Sequence, residues 1–192
     1  MARLFAVALT TKKMVREGLA EEAGVEQYTD VVLPKRETSN AAGYDFRAAE
    51  DTIVPSLWMG MVRTILERVP NMLKDKGETR DELRLFKPYY IHTGVKVCMQ
   101  DDEVLGLYLR SSTPKKFGLT MANSVGIIDS DYFGCEDNDG EIMFAVYNLF
   151  PFSVTIKKGE RIGQGIFSKF LKADDDTANG ERTGGYGSSD KQ

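Results

Sequence analysis

Histidine is almost missing from this chain: His92 is the only one in 192 residues. A Ser-His-Asp triad or a histidine-rich zinc site would have to be built around it. His92 lies in the alternating run Tyr89-Tyr90-Ile91-His92-Thr93-Gly94-Val95-Lys96-Val97, which reads as a strand rather than a nucleophile-bearing loop. Chemistry therefore falls to carboxylates, arginines and backbone amides. Cysteine is nearly as scarce. Cys98 and Cys135 show no metal-ligand spacing and two thiols make no disulfide framework, so a reduced, cytoplasmic setting is expected. No apolar run approaches a membrane span. The stretch Leu4–Leu9 contains Ala6-Val7-Ala8, which looks like a cleavage site, but its apolar run is too short for a signal-peptide core and reads as a strand. Basic excess is absent too: 25 Lys and Arg stand against 29 Asp and Glu, a formal net charge of −4. That balance argues against non-specific nucleic-acid binding, which needs a cationic surface to displace counterions. A few clustered arginines still permit an anionic substrate.

What is present suits one compact domain, with 42% hydrophobic and 28% charged residues. Short strands are expected at Leu4–Leu9, Tyr89–Met99, Val104–Leu109, Ile142–Asn148, Val154–Ile156 and Ile162–Phe170, the last two linked by a Lys157-Lys158-Gly159 turn. Many short strands with little helix between them point to a sandwich or jelly roll. Two segments depart from this pattern. Thr11–Tyr28 has Met14, Val15, Leu19 and Ala23 at helical spacing. From Pro55 to about Lys74, Leu57, Met61, Ile65 and Val69 recur every fourth residue, with Pro55 suited to a first turn and Pro70 ending or kinking the helix. Thr79-Arg80-Asp81-Glu82 could cap another short turn. The reading is an all-β domain over 1–172, with helical insertions at about 11–28 and 55–87, followed by a polar, glycine-rich arm over 173–192.

Five separated segments carry chemistry. Ala42-Gly43-Tyr44-Asp45-Phe46 is a glycine turn followed by a carboxylate, alone no more than a β-turn. Arg110-Ser111-Ser112 sets a guanidinium fork beside two hydroxyls, a good oxyanion clamp though a common surface tripeptide. Asn123-Ser124-Val125-Gly126-Ile127-Ile128-Asp129-Ser130-Asp131-Tyr132 is the most specific, although Asp129 could simply cap the Ile127-Ile128 strand. Gly159-Glu160-Arg161-Ile162-Gly163-Gln164 follows. Last, Arg182 precedes Gly184-Gly185-Tyr186-Gly187-Ser188-Ser189, whose glycines let backbone N–H groups approach a phosphate closely.

In order and in content these segments resemble the five motifs of the trimeric dUTPase family, which run roughly A-G-Y-D, R-S-S/G, G-x-I-D-x-x-Y, G-D-R-I-A-Q and R-G-x-G-G-F-G-S-T. The resemblance implies a distorted jelly-roll β-barrel, Mg²⁺-dependent hydrolysis of dUTP to dUMP and pyrophosphate, and a homotrimer whose sites each draw on three chains. It implies that Asp129 polarises the water attacking the α-phosphorus and that Asp45 holds Mg²⁺ through a water. Arg110, Ser111, Ser112 and Gln164 would bind phosphate oxygens. Asn123 and the main chain of Gly126–Ile128, a hairpin in this reading, would read the uracil edge, while Tyr132 packs on the sugar and excludes a ribose hydroxyl. Arg182, Tyr186, Gly187 and Ser188 would close from an arm reaching another subunit's site, with Tyr186 where the family has Phe. Departures are Glu160 for Asp, Gly163 for Ala, a shorter fifth motif at Thr183, and an acidic insertion, Cys135-Glu136-Asp137-Asn138-Asp139, which is a bulge or loop, or else an extra cation site.

Two other functions compete. A dCTP deaminase shares the fold and Arg-Ser-Ser but needs a catalytic glutamate where alignment puts Ala145. A regulatory protein on the same scaffold would bind a protein partner through the 55–87 insertion, as extra segments do in some viral members. An apolar helix face usually packs on its own domain, and the two functions can coexist.

Overall fold

Alternation of apolar and polar residues sets many short strands, and the computed structural model describes residues 31–74, 87–135, 137–180 and 182 and four short N-terminal strands. In chain order the strands are β1 (Arg3–Ala6), β2 (Ala8–Leu9), β3 (Met14–Val15), β4 (Glu26–Gln27), β5 (Tyr44–Arg47), β6 (Thr52–Val54), β7 (Tyr89–His92), β8 (Val95–Cys98), β9 (Glu103–Leu109), β10 (Leu119–Met121), β11 (Gly126–Asp129), β12 (Met143–Asn148), β13 (Val154–Ile156) and β14 (Arg161–Lys169). Helix α1 (Leu57–Lys74) follows β6, and the short α2 (Ser112–Phe117) follows β9. No helix among the described residues is long and apolar enough to cross a membrane.

Among these strands the pairing is antiparallel and divides into five sheets, ordered β1-β8, β10-β12-β7, β11-β9-β14-β5, β13-β6 and β3-β2-β4, rather than one closed ring. The inward faces make a single core around Phe46, Ile91, Leu105, Leu107, Phe144 and Ile162, each no more than 1% exposed. Phe46 and Phe144 meet edge-on with centroids 5.9 Å apart, an arrangement aromatic quadrupoles favour.

Several expectations change. The 89–99 run breaks in two at Thr93-Gly94, where Gly94 has φ +66°, a conformation that costs a side-chain-bearing residue more than glycine. In the 11–28 segment, Met14–Val15 and Glu26–Gln27 are strands on either side of β2, not helix. Ladder hydrogen bonds to β2 there override helical spacing, which is a weak local preference. Helix α1 continues through Pro70 to Lys74 instead of ending there. Leu57 and Met61 on α1 are partly buried and Trp58 Nε1 donates to the Leu149 carbonyl at 2.9 Å, but Trp58, Met59, Val62, Ile65 and Leu66 are exposed, so this apolar face packs on the domain only in part. The Thr79–Glu82 capping box and the 184–189 loop lie outside the described residues.

Candidate active site

The third motif folds as an edge strand. Among the described residues β11 pairs only with β9 in the four-stranded sheet, leaving its other backbone edge towards a cavity of about 460 Å³. An edge strand keeps a row of unpaired N–H and C=O groups, the equipment needed to read a base edge. Its burial alternates, with Gly126 and Ile128 inward and Ile127 and Asp129 outward. β10 and β11 do not form the expected hairpin. They enter different sheets, and the chain turns between them at Asn123–Val125 with Ser124 at φ +61°. Leu107, Met121, Asn123, Met143 and Tyr132 complete the walls with Gly126–Asp129, and Arg182 closes one side. Ala145 lies on the same wall, where a deaminase would need a glutamate.

Asp129 leads into a 3₁₀ turn, Ser130–Tyr132, yet its carboxylate makes no capping hydrogen bond. It receives instead the Arg182 guanidinium, Nη2 to Oδ2 at 2.5 Å, while Arg182 Nε donates to Asp131 Oδ1 at 2.7 Å. Partial burial alone would lower the Arg182 pKa; the hydrogen bond and charge of Asp131, with those of Asp129, outweigh it and raise the pKa further. The guanidinium also lies 5.7 Å from the centroid of the Tyr132 ring.

The first, second and fourth motifs build a second cavity of about 300 Å³, lined by Glu37, Thr38, Ala41, Gly43, Asp45, Arg110, Ser111, Arg161 and Gln164. Strand register explains the assembly. β14 pairs with β5 on one side and β9 on the other, placing Gln164 opposite Asp45 and Tyr108, two residues before Arg110. Gly43 leaves room for the Gln164 amide: a Cβ on it would sit 2.4 Å from Gln164 Oε1 and push that amide aside. Arg110 is held by its N–H to the Ile162 carbonyl, and its own carbonyl accepts from Thr113 N–H at 3.0 Å. Thr113 Oγ1 donates to the same Ile162 carbonyl at 2.8 Å. Asp45 Oδ2 lies 3.3 Å from Arg110 Nε and 3.2 Å from Arg161 Nη1, and Arg161 also reaches Glu37 at 3.2 Å. Two arginines around one largely buried carboxylate suit a polyanion.

The two cavities share no lining residue. One chain thus brings Asn123, Gly126, Ile128, Asp129, Tyr132 and Arg182 together, and separately Asp45, Arg110, Ser111 and Gln164. Ser112 is exposed on the first turn of α2, outside both linings; Tyr186, Gly187 and Ser188 lie outside the described residues. Sequence reading missed Glu37, Thr38 and a role for Arg161. Only Arg161 carried a signal, standing inside the fourth motif two residues after a glycine turn.

A β scaffold with an apolar, backbone-edged cavity beside a carboxylate, and a separate arginine-lined one, defines a nucleotide-binding protein of the hydrolase kind. The dUTPase family profile matches residues 79–189. The deoxyuridine 5'-triphosphate nucleotidohydrolase of Lactococcus lactis is 40% identical over 158 residues, covering 81% of this chain and 86% of the relative. That of Escherichia coli O9:H4 is 33% identical over 168 residues, covering 83% and 88%. The crystal structure of dUTPase from Streptococcus mutans superposes with a TM-score of 0.58 at 36% identity, covering 76% of this chain and 94% of that one. The dUTPase of Staphylococcus bacteriophage 80alpha, at 18% identity and a TM-score of 0.53 over 80% and 93%, shares the fold. The chain belongs to the dUTPase family.

Proposed function

We propose that this chain hydrolyses dUTP to dUMP and pyrophosphate in sites completed between the subunits of a homotrimer, on the family's distorted jelly roll. The observation that carries this reading is the division of the site residues between two cavities of one chain. One holds a base pocket and a carboxylate, the other the arginines and amide that suit a triphosphate, so apposition of two subunits joins the two halves and the arm of a third covers them.

Uracil sits against the open edge of β11 and Asn123, and deoxyribose on the Tyr132 ring. Asp129 takes a proton from the attacking water as the water's oxygen bonds to the α-phosphorus; pyrophosphate departs with the electrons of the broken α,β-bridging bond. Arg110, Ser111 and Gln164 bind phosphate oxygens and offset charge growing in the transition state. Ser112 flanks this cluster. Arg182, Tyr186, Gly187 and Ser188 close over the nucleotide from the arm and exclude bulk water.

The donor set around Asp45 fits Mg²⁺. The cavity offers the carboxylates of Asp45 and Glu37 and the Gln164 amide beside two arginines, and no group of three or more acidic, His or Cys side chains that could hold a metal by itself occurs among the described residues. Such a site suits an ion that keeps much of its water shell and binds chiefly to phosphate, with Asp45 reaching it through a water. When bound, Mg²⁺ neutralises triphosphate charge. Cys98 and Cys135 are both free, in keeping with a reduced, cytoplasmic setting.

The test is pyrophosphate release from dUTP, UTP, dTTP and dCTP, with and without Mg²⁺. Strong preference for dUTP is expected; comparable kcat/KM for dUTP and UTP would sink the role of Tyr132. The exposed apolar face of α1 favours a second role, binding another protein through the 55–87 insertion. Deleting 56–87 checks it: retained turnover fits an accessory segment, lost folding a core one.

A further inference from the structure

The insertion Cys135–Asp139 closes back on the residue that contacts the sugar. The Tyr132 carbonyl accepts from Cys135 N–H at 3.2 Å, the Cys135 carbonyl from Asp139 N–H at 2.7 Å, and the Asp139 carbonyl from Gly134 N–H at 3.2 Å. Gly140 follows at φ +78°, where a Cβ would lie 2.4 Å from the Tyr132 carbonyl oxygen. The far side of the loop is anchored in the core: Lys96 Nζ and Asp139 Oδ2 are 2.6 Å apart with side chains only 2% and 1% exposed.

This closure brings Asn138 to the tip of the Tyr132 side chain. The phenol oxygen accepts from Asn138 Nδ2 at 2.6 Å and can donate to Asn138 Oδ1 at 2.9 Å or to the Glu141 carbonyl at 3.2 Å. Asn138 Oδ1 in turn accepts from Gly140 N–H at 3.2 Å, which orients the amide. Tyr132 is 4% exposed, and its ring lines the nucleotide cavity. A ring pinned at both its backbone and its hydroxyl has little freedom to tilt away from a bulkier sugar.

We propose that Asn138 is a positioning residue for sugar discrimination: its grip on the Tyr132 hydroxyl sets the ring surface against which a ribose 2'-hydroxyl collides, and the Lys96–Asp139 pair holds Asn138 in place. The inference rests on the reading of Tyr132 as the sugar-contacting ring. A loosened ring tilts and admits the extra hydroxyl, so the signature is a fall in the ratio of kcat/KM for dUTP to that for UTP, which a general loss of stability does not produce.

The experiment measures that ratio at saturating Mg²⁺ in the full-length chain for Asn138→Ala, Tyr132→Phe, the double variant and Tyr132→Ala, with melting temperatures alongside. Asn138→Ala and Tyr132→Phe are each expected to lower the ratio roughly tenfold, the scale of one buried hydrogen-bond partner lost, and the double variant no further. An unchanged ratio in either single variant, or an additive fall in the double one, overturns the inference. Tyr132→Phe leaves the loop sequence intact and decides the matter if Asn138→Ala does not fold. A Tyr132→Ala variant with a wild-type ratio overturns the sugar-contact reading itself, whereas a collapsed ratio there with a normal one in Asn138→Ala overturns only the role of Asn138.

Discussion

Arg182 and Asp129 form an ion pair at 2.5 Å, with the same guanidinium donating to Asp131 at 2.7 Å. In the single chain the arm's arginine therefore lies on its own chain's carboxylate, where the family pattern has the arm crossing to a neighbour. Both side chains are partly exposed, and exposed pairs are worth little. In the proposed reaction a triphosphate draws the guanidinium away and frees Asp129 for water.

Removing that carboxylate's basicity alone is the sharpest single substitution. Asp129→Asn keeps the shape of the cavity, so dUTP binding should persist while kcat falls by roughly 10²–10⁴-fold. Isothermal titration with a non-hydrolysable dUTP analogue and steady-state kinetics separate the two effects. Near-normal turnover would place water activation elsewhere.

Half-site sharing predicts complementation. Asp129→Asn and Arg110→Ala subunits, each inactive alone, should regain part of wild-type turnover when denatured and refolded together. A mixed trimer can pair an intact Asp129 cavity from one chain with an intact Arg110 cavity from another. Mixed trimers verified by mass but without activity would mean that each chain completes its own site.

Truncation after Asp176 removes no described strand, the last being β14, which ends at Lys169. Assembly and melting temperature should stay close to wild type while kcat/KM for dUTP collapses, because Arg182, Tyr186 and Ser188 are lost. Size-exclusion chromatography and kinetics on the same preparation check this.

Gly163 stands where the family carries alanine, and the structure supplies the reason. A Cβ there would lie 2.1 Å from Phe144 Cε1 and 2.7 Å from the Tyr108 carbonyl. Gly163→Ala should cost about 1–3 kcal/mol by overpacking. Phe144→Leu in the same chain should return part of it, and denaturant melts of the two variants would show whether it does.

His92 couples stability to pH. Its Nδ1 is 2.9 Å from Glu141 Oε2, and Glu141 is 1% exposed and also accepts from Gly94 N–H at 2.9 Å. The Glu141 hydrogen bond, opposed in part by burial and helped by the charges of Glu141 and Glu50, raises the His92 pKa above 6.5. The protonated pair therefore contributes its full stability below about pH 6.5, and that contribution disappears as pH climbs through the raised value. Melting temperatures between pH 5.5 and 9 should fall more steeply for wild type than for His92→Gln. Parallel curves would rule the pair out.

The amino-acid sequence by itself determined strands β9, β12, β13 and β14 and the motif order that marks the family, but not β10. Strand alternation and turn glycines are local properties, and a carboxylate or guanidinium announces its chemistry wherever it stands. Helical spacing misled at Met14–Val15, and α1's apolar periodicity did not reveal that Trp58 and Leu66 stay exposed. Only tertiary structure divided the motifs between two cavities, since it is the register of β14 against β5 and β9 that sets Gln164 beside Asp45 and near Arg110. Only packing explained Gly163, whose constraint is the ring of a residue on another sheet. The acidic insertion shows the limit most clearly. Its composition suggested a bulge or loop, or a cation site, yet Asp139 turns inward to Lys96, 43 residues away in sequence, and Asn138 turns to Tyr132. Such partners are chosen by chain closure in three dimensions, where low dielectric makes pairing a buried charge compulsory, and no local pattern encodes them.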